Sequence, residues 1–170
     1  MTAADEVFGR SPGASTDDVA KLAGVGIATV FRHFPTKTEL LEAVLTLRLE
    51  RLRDRAIELA GSNNPGDAFF GFFTQVVSES ASKLAIAEAL AAAGSAVGAD
   101  AQNAGIGLRE AFDTLLTRAQ DDGAVRRDAG LAEVYALLIG ASRGATAVGL
   151  EPAIRDRMLG LIFDGLRPRS

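Results

Sequence analysis

The chain reads as an all-α protein. Two observations predict this: apolar residues recur every three to four positions through most of its 170 residues with no convincing series of alternating strands, and clusters of Gly, Pro and Asn interrupt that pattern at helix-length intervals. A short first helix is expected over 2–8, where Val7 and Phe8 supply an apolar face before the punctuation of "GRSPGAS". A second starts near Thr16, whose hydroxyl can accept a backbone N–H while Asp17 and Asp18 suit the positive end of the helix. Its Val19, Ala20, Leu22 and Ala23 are expected to face inward. Gly24 ends it, since glycine takes the left-handed conformation at low cost, and after a three-residue turn the chain re-enters helix near Ile27 and leaves it at Pro35.

A long helix follows down to Gly61, begun by Thr36 three residues before Glu39, the spacing of a capping box. Leu40, Leu41, Val44, Leu47 and Leu52 form its apolar face, and Arg48, Arg51, Arg53 and Arg55 are expected on a solvated face among Glu50, Asp54 and Glu58. "SNNPG" at 62–66 is the clearest boundary. Helices are then predicted at about 67–82, 83–93, 100–122, 128–149 and 151–166, with no repeat at solenoid periods.

Composition excludes several classes of function. There is no cysteine, so disulfides, thiolate metal sites and cysteine nucleophiles are absent, and a reducing compartment suffices; a cytoplasmic location is expected. Asp5 and Glu6 stand where a secretory signal needs a basic start, and the most apolar stretch, from Leu84, is broken by Glu88 and falls short of the roughly 18 residues of a membrane span. His33 is the only histidine and no metal-binding spacing surrounds it, so neither a metal nor a cofactor is expected. "GASRGATAVG" follows no strand and lacks the Lys-Ser/Thr ending of a phosphate loop, and no Ser/His/Asp set is compelling; an enzyme is not expected.

The net charge of −4 leaves room for local basic surface. From Val19 through Thr38 the chain carries basic side chains and no acid, which places Lys21, Arg32 and Lys37 on a positive patch suited to phosphates. Two helices meeting at a Gly-containing turn are a helix-turn-helix arrangement, whose second helix enters the DNA major groove. Val25, Val30 and Phe34 are expected on its buried face, leaving Ile27, Ala28, Thr29, Arg32, His33 and Lys37 outward. Small residues at Gly26 and Ala28 permit close approach to base edges, and Ile27 or Thr29 suits a thymine methyl.

The run "TDDVAKLAGVGIATVFRHFPTKTELLEAV" resembles the TetR family of transcriptional repressors, a resemblance covering roughly residues 3–47, and "LLTRAQDDGAVRRD" is similar to a turn common in actinobacterial members. It implies a helix-turn-helix DNA-binding domain at 1–47 and a helical ligand-binding and dimerisation domain at 48–170. It further implies a homodimer on a palindromic double-stranded DNA operator, released by a small molecule held in the C-terminal domain. By position, Ile27, Ala28 and Thr29 match the family's base-reading segment, and Thr16, Phe31, His33 and Lys37 its backbone-contacting positions. Two departures stand out. Phe31 replaces the usual Tyr and its hydroxyl, and "MTAADEVF" supplies only the end of the family's first helix, so a helical small-molecule-binding protein with impaired DNA binding is the alternative.

Phe69, Phe70, Phe72 and Phe73 surround Gly71 and point in more than one direction from one helix. With Phe112 and Tyr135 they are candidate walls of an apolar effector pocket, for which Gln75, Ser78, Arg109 and Arg143 are candidate polar anchors; a closed aromatic core is the other reading. Val134, Leu138, Met158 and Ile162 lie on apolar stripes of the last two helices, interspersed with Gly140, Gly144 and Gly160, and are the expected dimerisation contacts of a four-helix interface.

Overall fold

The computed structural model describes residues 1–11 and 13–168. The described residues form nine helices: α1 (Thr2–Arg10), α2 (Thr16–Ala23), α3 (Ile27–His33), α4 (Lys37–Ala60), α5 (Pro65–Ser78), α6 (Ser80–Ala92), α7 (Ala99–Asp121), α8 (Leu131–Ala147) and α9 (Pro152–Leu166). The chain divides into two compact units, Met1–Glu50 with Ser82–Gly105, and Arg51–Ala81 with Ile106–Ser170. Compactness therefore follows a different line from the functional division expected at 47/48. The reason is apolar: Ile86 and Leu90 of α6 and Ala101 of α7 are buried in the same core as Phe8, Val19, Leu40 and Val44.

In the first unit, α2 is capped by Ser15 rather than by Thr16. The Asp18 N–H donates to Ser15 Oγ at 3.1 Å and the Ser15 N–H donates to the Asp18 carboxylate at 2.9 Å. The Ser15 hydroxyl, followed by its backbone N–H, holds the Asp18 carboxyl below its ordinary pKa. Thr16 is already inside the helix and buried. The spacing cannot separate two adjacent hydroxyls; the one outside the helix is the one able to fold back on its free N–H groups. At the start of α4 the expected cap does form, with Glu39 N–H on Thr36 Oγ1 at 3.1 Å.

Arg48 is not on a solvated face. Its Nε donates to Asp5 Oδ1 at 2.5 Å and its Nη2 to the Asp5 carbonyl at 2.8 Å, with the two side chains 13% and 20% exposed. This ties α1 to α4. The neighbouring arginines behave as the pattern predicts: Arg53 pairs with Asp54 and Arg55 with Glu58 on the helix surface.

The second unit is built on α5, α8, α9 and the part of α7 from Ile106 onward, around Phe69, Phe72, Phe73, Phe112, Leu115, Leu138 and Leu159, all buried. Its "DDGAVRRD" turn is fastened from within: Gln120 Nε2 donates to the carbonyls of Arg126 and Ala129 at 3.0 and 2.9 Å, and Arg126 N–H donates to the Leu166 carbonyl at 2.8 Å. Gly66 is required sterically, because a Cβ there would stand 2.6 Å from the Ala124 methyl. No helix of the described residues is long and apolar enough to cross a membrane.

Replacing Arg48 with Met leaves Asp5 half-buried and without its guanidinium, and is expected to cost about 2 kcal/mol. Urea unfolding measures it, and the equivalent change at exposed Arg55 should stay within about 0.5 kcal/mol.

Candidate nucleic-acid interface

The turn between α2 and α3 follows from two glycines. Gly24 sits at φ 67° as the left-handed end of α2, its N–H reaching the Ala20 and Lys21 carbonyls, and Val25 N–H returns to the Ala20 carbonyl at 3.1 Å. Gly26 then caps α3 with ordinary dihedrals, its carbonyl accepting Thr29 N–H at 2.9 Å. A Cβ at Gly26 would meet no atom within 4 Å among the described residues beyond its chain neighbours. The helix start is open to a partner.

Only Val30 of α3 is buried, with Phe34 half-buried beyond it; Val25, expected inside, is 43% exposed because the left-handed turn at Gly24 carries it outward. Ile27, Ala28, Phe31, Arg32 and His33 are exposed and Thr29 is half-buried. These six form one contiguous, acid-free surface.

The positive patch is smaller than the sequence suggests. Lys21 is paired with Asp17 at 2.6 Å, an interaction that raises the Lys21 pKa chiefly through the hydrogen bond. Lys37 Nζ donates to the Gly13 carbonyl at 3.1 Å and lies 5.8 Å from the centre of the Phe8 ring. Thr16 is buried. Of the expected phosphate contacts, Lys37 thus bonds within the head, and Thr16 lies buried in the first turn of α2. Arg32 and His33 have no side-chain partner among the described residues.

Phe69, Phe70, Phe73, Phe112 and Tyr135 are brought together in the second unit. Phe112 stacks 5.6 Å from Phe69, 6.4 Å from Phe73 and 6.0 Å from Tyr135, and Phe70 lies 5.2 Å from Phe69. The sequence reading missed Phe163, which sits 4.7 Å from Phe70 and 5.5 Å from Phe73. Its signal was present, four residues after the buried Leu159, but Ile162 beside it fits the apolar stripe equally well. Among the candidate anchors, Arg109 covers the Tyr135 ring at 5.4 Å and Gln75 is bonded to Glu79 at 3.1 Å.

Of the expected dimer contacts, Val134 and Leu138 are buried inside the chain's own core, while Met158 and Ile162 are half-buried. The α8 face that points inward is set by packing on α5, so the open face is the next one round. Met158 and Ile162 line a shallow groove with Ala136, Leu137 and Gly140, and Leu161 is 77% exposed.

A helix-turn-helix head followed in sequence by a helical unit with an aromatic core is the arrangement of a transcriptional regulator. Residues 1–44 match the family model described as bacterial regulatory proteins of the tetR family, and residues 64–168 match that of the SbtR-like transcriptional regulator C-terminal domain. The chain belongs to the TetR family of transcriptional regulators, which are DNA-binding proteins and not enzymes. It is 33% identical to a TetR transcription regulatory protein from Mycobacterium vanbaalenii, covering 98% of this chain and 92% of that one with a TM-score of 0.79. It is 28% identical to a TetR transcriptional regulator from Streptomyces coelicolor, covering 99% and 97% with a TM-score of 0.80. A fatty acid degradation regulator from Bacillus halodurans, at 18% identity, 98% and 97% coverage and a TM-score of 0.67, shares the fold. No curated protein sequence matches the chain.

The two glycines of the turn should respond oppositely to alanine. At Gly24 the positive φ makes a Cβ strained, costing about 1 kcal/mol in denaturant unfolding. At Gly26 the fold should be unaffected, and the loss should appear only in DNA affinity, measured by fluorescence anisotropy.

Proposed function

We propose that this chain is a ligand-responsive repressor that binds a palindromic operator as a homodimer in the cytoplasm, with residues 1–47 reading DNA and 48–170 holding effector and partner. The observation that carries the reading is the exposed, acid-free surface of α3 behind an unobstructed glycine turn. Ile27, Ala28 and Thr29 reach base edges, and Phe31, Arg32 and His33 lie toward the backbone. Phe31 contributes ring contact without a hydroxyl.

The dimer forms through the open faces of α8 and α9. Leu137, Ile154 and Leu161 are exposed there, and Gly140, Gly144 and Gly160 have nothing of their own chain opposite a Cβ position, as helices approached by a partner's helices would. Met158 and Ile162 line the seam, while Val134 and Leu138 support it from behind. The effector is a small, mainly apolar molecule taken up between α5, α7 and α8, where it replaces ring contacts among Phe69, Phe70, Phe73, Phe112 and Tyr135.

Binding to a labelled duplex from the region upstream of the chain's own coding sequence, titrated at several salt concentrations, tests the DNA reading. Arg32→Ala should lower the slope of log affinity against log salt by about 0.9 per head, as expected for one lost phosphate contact. Wild-type protein with no salt-sensitive affinity for any duplex would instead favour the small-molecule-binding alternative.

Leu161→Glu should convert the dimer to monomer in sedimentation at tens of micromolar without altering the helical content. An unchanged dimer would place the interface elsewhere, and a wild-type chain that is already monomeric would remove it.

A further inference from the structure

We propose that Ser142 is the polar anchor of the effector site, its hydroxyl donating to a neutral oxygen, a carbonyl or an alcohol, at one end of an otherwise apolar molecule. This rests on the reading of the aromatic cluster as an effector site. Ser142 is 5% exposed, and its Oγ has no hydrogen-bond partner among the described residues. A buried hydroxyl in that state is costly to the fold unless something else pairs with it. Its surroundings are already committed. Ser80 Oγ lies 2.8 Å from the Val77 carbonyl and 3.2 Å from both the Ser142 carbonyl and Thr146 Oγ1, and Thr146 Oγ1 donates to the same Ser142 carbonyl at 3.0 Å. The backbone oxygen of Ser142 is thus served by its neighbours' hydroxyls, while its own hydroxyl proton has no acceptor.

The position of Ser142 continues the aromatic cluster. Tyr135, Leu138 and Ser142 follow at three- and four-residue intervals on α8 and so share a face, on which seven residues of helix set Ser142 about 10 Å along the axis from Tyr135. On α5, Phe73 and Val77 stand one turn apart, both buried, and the Val77 carbonyl meets Ser80. A molecule lying along this face meets rings first, then aliphatic side chains, and finally a donor. The polar anchors expected from the sequence are otherwise placed: Gln75 is bonded to Glu79, Arg109 covers the Tyr135 ring, and Ser78 and Arg143 are exposed. The side chains of Ser80, Ser142 and Thr146 carry no charge, so an ionised carboxylate would find no counter-charge in them. The oxygen that fits is neutral.

The test uses the full chain and three probes of matched length that differ at one end: methyl heptyl ketone, n-nonane and nonanoate. Affinity is read by displacement of the neutral dye Nile red, and the hydrogen bond by the carbonyl stretch of the bound ketone. Ser142→Ala should weaken ketone binding about three- to tenfold and leave nonane unchanged. The stretch should lie lower in wild type than in alkane solvent, and the variant should lose that lowering. Without ligand, Ser142→Ala should melt no lower than wild type, whereas Ser80→Ala, which removes a paired hydroxyl, should melt about 2–4 °C lower. Ketone binding that is indifferent to Ser142→Ala would overturn the anchor and leave the apolar site standing. So would a ligand-free Ser142→Ala that melts as low as Ser80→Ala, since the hydroxyl would then be paired within the protein. Nonanoate bound more tightly than the ketone, with no dependence on Ser142, would also overturn it and move the head group to a cation. Should Ser142→Ala not fold, the ketone stretch in wild type decides, lowered for the anchor and unshifted against it. If neither the dye nor any probe binds wild type, the effector reading itself fails and the anchor falls with it.

Discussion

The attachment of α1 to α4 is the interaction on which the head depends. A helix of nine residues is too short to be stable alone, and α1 has only two buried residues, Ala4 and Phe8, to hold it. Val7 packs on the same core, and the Arg48–Asp5 pair adds two part-buried hydrogen bonds from one guanidinium, one to the carboxylate and one to the backbone carbonyl of the same residue. With α1 fixed, the Phe8 ring becomes a wall of the core shared by Val19, Leu40 and Val44, and α2 and α3 have something to pack against.

Much of this head was legible in the sequence because its signals are local. Gly24 ends α2 by a conformation few other residues adopt, Thr36 and Glu39 begin α4 at a fixed spacing, and the 3.6-residue period marks nearly every helix within two or three residues of its ends. The order and number of helices follow from punctuation by Gly, Pro and Asn. The surface of α3 was likewise readable, since a seven-residue helix with one buried side chain leaves most of its sequence outward.

What was not legible depends on partners distant in sequence. Arg48 sits in an arginine-rich run and is chemically identical to neighbours that are solvated; only the fold brings Asp5, 43 residues away, within reach. Lys37 and Thr16 match phosphate-contacting positions, and that Lys37 also bonds the Gly13 carbonyl while Thr16 is buried follows only from the fold. Apolar stripes have the same weakness. On α8 and α9 most faces carry an aliphatic residue, so periodicity does not tell the side packed on α5 from the side left open: Val134 and Leu138 are buried, Leu137 and Leu161 exposed. Phe163 disappears from the pattern for the same reason.

Arg32 is the one permanently charged side chain on the exposed surface of α3, with Lys21 paired to Asp17 on α2 and Lys37 bonded to Gly13 from the start of α4. Attraction to arbitrary DNA grows with each phosphate a protein can neutralise, and a genome offers millions of arbitrary sites that compete with one operator. On the proposed DNA reading, a helix with one such charge has little to offer arbitrary sites. On that reading, discrimination falls to the fit of small and apolar side chains against base edges.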